Sequence, residues 1–229
     1  MQLDILLNRL GHYEIYGIAS DDLKENVSRE DVYMELAKMV ENDFIHNAGD
    51  RFMLDVDLKE MLQNMAQSQH YMHIFSNADI EEKQEYLCYL KDDKAVIAKQ
   101  QAIRNNKLAI TQKNISDIKN QLLIDTLPGY RIYENSLYDM DENENDAVNN
   151  PNVEKEDKNI ELYKIGAVNS DVAWYCEIKD KDVKQSKEMY VFENDFEPYF
   201  LLIDAEGRRR KVYDREETAE YVMGEINGL

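Results

Sequence analysis

Two cysteines, three prolines and eight glycines are all that 229 residues contain of the usual staples and breakers. Cys88 and Cys176 both sit in apolar runs, so a disulfide framework is not the basis of the fold, and a reduced, cytoplasmic setting is expected. Cations are scarce too: 27 Lys and Arg stand against 47 Asp and Glu, a formal net charge of −20. Sequence-independent binding to nucleic acid draws its affinity from counterions released by clustered Lys and Arg, so it is not expected here. An anionic membrane surface would repel the chain. No run reaches the roughly 20 apolar residues that a spanning helix needs. Met1-Gln2-Leu3-Asp4 lacks the basic region and apolar segment of a leader, so export by the usual route is not expected. An apolar fraction of 43% nevertheless suffices for a core at this length.

The chain is organised around a unit that occurs twice. From Tyr86 to Leu127, the short apolar runs Ala95-Val96-Ile97-Ala98 and Lys107-Leu108-Ala109-Ile110 flank the polar turn Arg104-Asn105-Asn106 and read as a hairpin. Ser116-Asp117 then supplies cap oxygens to a helix, with Ile115, Ile118, Leu122 and Leu123 at helical spacing, which Pro128-Gly129 ends. From Met189 to Ile226 the same order returns. Tyr199 to Ile203 meets Lys211-Val212-Tyr213 across Asp204-Ala205-Glu206-Gly207, and Asp214 caps a helix whose apolar face is Ala219, Val222, Met223 and Ile226.

Upstream, Leu3, Leu6, Leu7 and Leu10 form one helical stripe. Ser28-Arg29-Glu30-Asp31 has the capping-box arrangement ahead of a second stripe, Val32, Leu36, Met39 and Val40. A third helix follows Asp55 with Leu58, Met61, Leu62 and Met65. Tyr71 to Phe75 reads as a buried strand. Between Glu134 and Asn159, acids alternate with asparagines and almost nothing is apolar, which predicts a linker too polar to offset its ordering entropy. Val172 to Ile178 and Met189 to Phe192 supply further strands. The expected fold is therefore α+β: two pseudo-repeated halves of antiparallel strands, each closed by a helix, with N-terminal helices before the first sheet. Residues 1–133 form one half, 134–160 an acidic Asn-rich linker or loop, and 161–229 the other half, in one compact unit.

Candidate chemistry is thin. Asp139-Met140-Asp141-Glu142-Asn143-Glu144-Asn145 begins like a calcium loop, but Glu144 stands where the turn needs Gly and Asn150 where a bidentate Glu should close the shell. His70 and His73 are spaced to opposite faces of a strand, so they do not converge on a metal. No cofactor, metal site or catalytic set is expected. Arg208-Arg209-Arg210-Lys211 is the dense basic cluster, suited either to an acidic partner or to a charged sheet edge. A winged helix-turn-helix is excluded by the helix after Asp55, whose polar face offers Asp57, Lys59 and Glu60 rather than groove-reading side chains.

The stretch Leu36 to Leu62, in which a helix leads through Phe44-Ile45 to Phe52-Met53-Leu54-Asp55 and a new helix, resembles the N-terminal part of EspG-type proteins. So do the strand Tyr71 to Phe75, the turn Asp92-Asp93-Lys94-Ala95-Val96, and the helix ending Leu122-Leu123-Ile124-Asp125-Thr126-Leu127-Pro128. The resemblance implies a cytosolic chaperone of a type VII (ESX) secretion system, with two similar α+β halves around a central antiparallel sheet, holding a helical secreted substrate by its tip. The Asn- and Lys-rich composition points to a low-GC Gram-positive counterpart, and a partner of the WXG or LXG type rather than a PE–PPE pair. The expected partner-binding residues lie at two hairpin tips, Gln101, Ile103 and Arg104 on one and Arg208, Arg209 and Arg210 on the other, since tips project from a rigid sheet. An immunity protein that neutralises a basic toxin is the alternative, with −20 as its electrostatic argument. A hydrolase built from distant acids is a third reading.

Overall fold

The computed structural model describes residues 6, 15–18, 28–49, 51–77, 84–101, 107–129, 151–164, 171–182, 186–193 and 198–229, and of residues 100, 101, 107, 151–153 and 163–164 the backbone alone. Helix α1 (Arg29–Glu41) opens on the predicted capping box: Ser28 Oγ accepts from the Asp31 N–H at 3.1 Å, and the Asp31 carboxylate accepts in return from the Ser28 N–H. A two-stranded ribbon of β1 (Ile45–Asn47) and β2 (Phe52–Leu54) leads to α2 (Val56–Gln67), which Asp55 caps by accepting from the Leu58 N–H at 2.9 Å.

The main sheet has eight antiparallel strands. The first half contributes β3 (His70–Ser76), β4 (Gln84–Lys91), β5 (Lys94–Gln101) and β6 (Lys107–Asn114). The second contributes β7 (Val172–Asp180), β8 (Ser186–Phe192), β9 (Tyr199–Asp204) and β10 (Gly207–Val212). Their order is β10-β9-β8-β7-β3-β4-β5-β6, so the first strand of each half pairs with the other at the centre and each meander runs outward from that seam. The β3–β7 register runs unbroken from His70 opposite Asp180 to Ser76 opposite Trp174. The sheet therefore carries the repeat as a pseudo-twofold about the seam, as the α+β expectation required.

Each meander ends in a helix laid on the same face. In the first half, this is α3, an irregular helix made of a tight turn (Ile115–Asp117), a widened stretch (Lys119–Leu123) and a last turn (Ile124–Thr126). In the second it is the regular α5 (Arg215–Asn227), capped by Asp214 as expected. One core lies beneath both, joining Met72, Cys88 and Ile97 of the first half to Trp174, Cys176 and Val191 of the second, with Ile118, Leu123, Val222 and Ile226 coming down from the helices. The only tryptophan sits at the seam, its indole N–H donating to Thr126 Oγ1 at 3.2 Å. Tyr213 reaches back to donate to the Pro128 carbonyl at 2.7 Å.

The opposite face is covered in two separate places. Over the first half, Leu62 and Met65 of α2 and Met39 of α1 pack on Leu87, Tyr89, Val96 and Ala98. Over the second half lies a helix that the sequence reading did not foresee. Residues 151–160, assigned above to the linker, belong to α4 (Pro151–Lys164). Proline at the first helical position and a run of Glu and Lys suit a helix start. Its anchorage is mostly polar, which is why a search for apolar periodicity passed over it: Ile160 packs on Tyr175, Tyr190 and Leu201, while Glu156, 4% exposed, is held by arginines of β10.

Two smaller expectations also change. Ser116 and Asp117 lie inside the first turn of α3 rather than capping it, and Asn114 stands at the cap, its side chain bonded to Lys94 and Asp117 rather than to a helix N–H. Val40, placed above on the core stripe of α1, is 38% exposed. The calcium-like segment 139–145 lies outside the described residues.

Candidate partner-binding surfaces

The three arginines lie in β10, just past the turn at Ala205-Glu206, so strand alternation divides them between faces. Arg208 and Arg210 point toward α4. Arg210 Nε is 2.7 Å from Glu156 Oε1 and Arg208 Nη1 is 3.5 Å from Glu156 Oε2, and Arg208 also pairs with Asp157. Arg209 faces the side of α5. It pairs with Asp204 and, at 3.2 Å, with Glu206, and its side chain remains 53% exposed. The cluster is thus largely committed to its own chain: two guanidiniums fasten a helix and one borders solvent. At the other expected tip, Ile103 and Arg104 lie outside the described residues, and Gln101 is described only as the last residue of β5, its backbone opposite Lys107.

Between α2 and α4 the central strands present a polar row that the sequence did not single out. Register places His73 opposite Glu177 on β3–β7, and Glu177 opposite Glu188 on β7–β8. His73 Nε2 lies 2.8 Å from Glu85 Oε1, and its ring tilts on Phe75 with centroids 4.5 Å apart. Tyr190 donates to Glu188, and Tyr175 packs on Tyr190 at 5.0 Å. Burial pushes both phenols far above their ordinary range, with the neighbouring glutamates adding to the effect. Two like charges directly opposite are unfavourable in a sheet, so this row holds charge that packing alone would not select. Beside it, Ser186, Glu188, Ile203, Asp204 and Ala205 line an open depression of about 190 Å³. His70, on the other face, lies 3.6 Å from Asp180. Pairing partners this distant in sequence are not visible as a motif.

Neither thiol is placed for chemistry. Cys88 and Cys176 are fully buried in the shared core, and burial drives both well above the usual thiol range, so neither supplies a thiolate nucleophile. Among the described residues, no group of three or more His, Cys, Asp and Glu side chains is arranged to hold a metal ion. No helix of the described residues is long and apolar enough to cross a membrane.

No protein-family model and no curated protein matches the chain.

Proposed function

We propose that this chain is a cytoplasmic chaperone or adaptor that holds a helical protein substrate of a type VII secretion system, the role its resemblance to EspG-type proteins implies. The observation that carries the reading is the pseudo-twofold architecture. Two four-stranded meanders, each closed by a helix on the same face, share one antiparallel sheet through β3 and β7. That is the arrangement the resemblance calls for, and it is reached here from strand pairing alone. A sheet of eight strands closed by helices is a frame on which surfaces can be presented to a partner. Partners of the WXG or LXG type fit the composition better than PE–PPE pairs.

The test is affinity capture of the wild-type chain from cells that express such a secretion system. Recovery of a helical secreted protein in stoichiometric amount is the expected result. The −20 charge favours one other reading, that of an immunity protein steered to a basic toxin. Recovery of a toxin domain and no export substrate would replace the chaperone with it.

A further inference from the structure

Ten large apolar side chains are exposed among the described residues, and seven of them fall between residues 33 and 56: Tyr33, Met34, Val40, Phe44, Phe52, Met53 and Val56. Scattered singly they would need no explanation, but a concentration in one part of one layer does. Tyr33 is 70% exposed, Met53 51% and Val56 75%, so these side chains are turned outward rather than incompletely packed.

Three of them lie along α1 and the other four on the turn after it, the ribbon and the start of α2. Tyr33, Ala37 and Val40 stand at i, i+4 and i+7 and share one flank of α1, away from the buried Met39. The chain then turns through Asp43, held left-handed at φ 59°, so that the Phe44 N–H donates to the Met39 carbonyl and the ribbon starts against the end of α1. Phe44 accepts from the Asp55 N–H and His46 lies opposite Met53, which puts Phe44 and Met53 on one face of the ribbon. From Tyr33 to Val40 the rise is about 10 Å, two turns of α1 and of a helix laid alongside. Aromatic and methionine side chains are the ones that anchor interfaces, methionine because its flexible thioether adapts to the partner's shape.

The setting of these side chains decides what covers them. Glu41 adjoins Val40, Asp43 adjoins Phe44, and Asp55 and Asp57 flank Val56; of the cations in the same stretch, Lys38 is paired with Glu35 at 2.6 Å, and Arg29, Arg51 and Lys59 are outnumbered by the acids Glu30, Asp31, Glu35, Glu41, Asp43, Asp55, Asp57 and Glu60. A second copy of the chain would bring the same acids face to face, in molecules that each carry −20. The ribbon strands are three residues long, too short to template an added strand. We infer that the α1 flank and the β1–β2 ribbon form a docking surface for an amphipathic helix of a partner protein whose apolar face is bordered by Lys or Arg. This rests on reading the chain as a protein-binding module, and it assigns the binding to residues other than those expected at the hairpin tips.

The experiment uses the whole chain and two helical peptides of about five turns with the same Leu- and Phe-bearing face, one flanked by Lys and the other by Glu. Fluorescence anisotropy should show the Lys-flanked peptide binding at least about tenfold more tightly, with affinity falling as salt is raised. Tyr33→Glu combined with Met53→Glu should abolish that preference while leaving the melting temperature within a degree or two, because both side chains are exposed. Equal binding of the two peptides, or unchanged binding by the double variant, would overturn the inference. So would a wild-type dimer in sedimentation that the double variant dissociates, since the occupant would then be a second copy. A helical export substrate captured equally by wild type and double variant would remove this surface and leave the chaperone reading standing.

Discussion

Removing the Glu156 carboxylate would leave Arg208 and Arg210 facing a helix with no shared counter-ion. An ion pair of this kind is worth little as a net gain over apolar packing, but breaking it from one side takes a buried counter-ion from both guanidiniums. Glu156→Ala is therefore expected to cost about 3 kcal/mol, read as a lower urea midpoint, whereas Asp157→Ala at the exposed neighbouring position should cost well under half of that. Changing Arg208, Arg209 and Arg210 together to Glu, which would be neutral for stability if all three were free surface charges, should instead unfold α4 from the sheet. The buried phenols make a second prediction at this scale. Tyr71, Tyr89, Tyr175, Tyr190, Tyr199 and Tyr213 are all raised, chiefly by burial, and Tyr221 is pushed up to about 12 by burial and its bond to Glu225. A phenol whose proton is held more tightly in the folded state contributes stability that is complete below the unfolded value near 10 and lost as pH rises above it. Phenolate absorbance should therefore show these seven ionising together with loss of circular dichroism, in one cooperative alkaline step. Seven independent titrations in a chain that stays folded would contradict the packing.

Among the elements, those fixed by local bonds were legible and those fixed from a distance were not. The caps Ser28 and Asp214, and the helix start after Asp55, were readable because each of these side chains bonds a backbone N–H three residues on, within a single turn of chain. The hairpin β5–β6 and the strand β3 were readable because alternation and β-branched content are local. Helix α4 was not, since its chief anchors are charges on β10, some fifty residues later, and its own sequence resembles a solvated linker. The polar row of His73, Glu177 and Glu188 was hidden for the same reason: β3 lies far from the β7–β8 hairpin in sequence, and only the seam brings His73 beside Glu177. Val40 was misplaced because spacing gives the angular position of a side chain without saying where the covered face ends. The Asp55 cap carries a prediction of its own. The hydrogen bond from the Leu58 N–H, the largest influence, lowers its pKa, so the cap contributes stability above the unfolded carboxylate value near 4 and loses it as pH falls through the folded value. Asp55→Asn keeps an acceptor oxygen at the cap and should flatten the acid limb of the melting-temperature profile while changing the neutral value little; Asp55→Ala should lower the neutral value as well.

For the molecule as a whole, the repeat was visible as an order of elements, while the way its halves join was not. Nothing in either copy marks β3 and β7 as partners, because an antiparallel pairing between strands a hundred residues apart leaves no local trace. That seam has a thermodynamic consequence. The two halves share an unbroken register, one apolar core, and bonds that cross between them, Trp174 to Thr126 and Tyr213 to Pro128. Lys119 of α3 adds a tie to α5, 3.2 Å from Glu216 and 3.1 Å from Glu220, although ion pairs this exposed contribute little. Separating the halves would strip one edge of β3 and of β7 of its hydrogen-bonding partner and open the core beneath both helices, at a cost neither half can meet from its own contacts. Unfolding in urea should therefore be a single transition. Trp174, sealed at the seam, reports on the junction by fluorescence, and far-ultraviolet circular dichroism reports on all the elements, so the two midpoints should coincide. A fluorescence change that precedes the loss of secondary structure would mean that the halves part before they melt, and would make them two folding units joined at a weak seam.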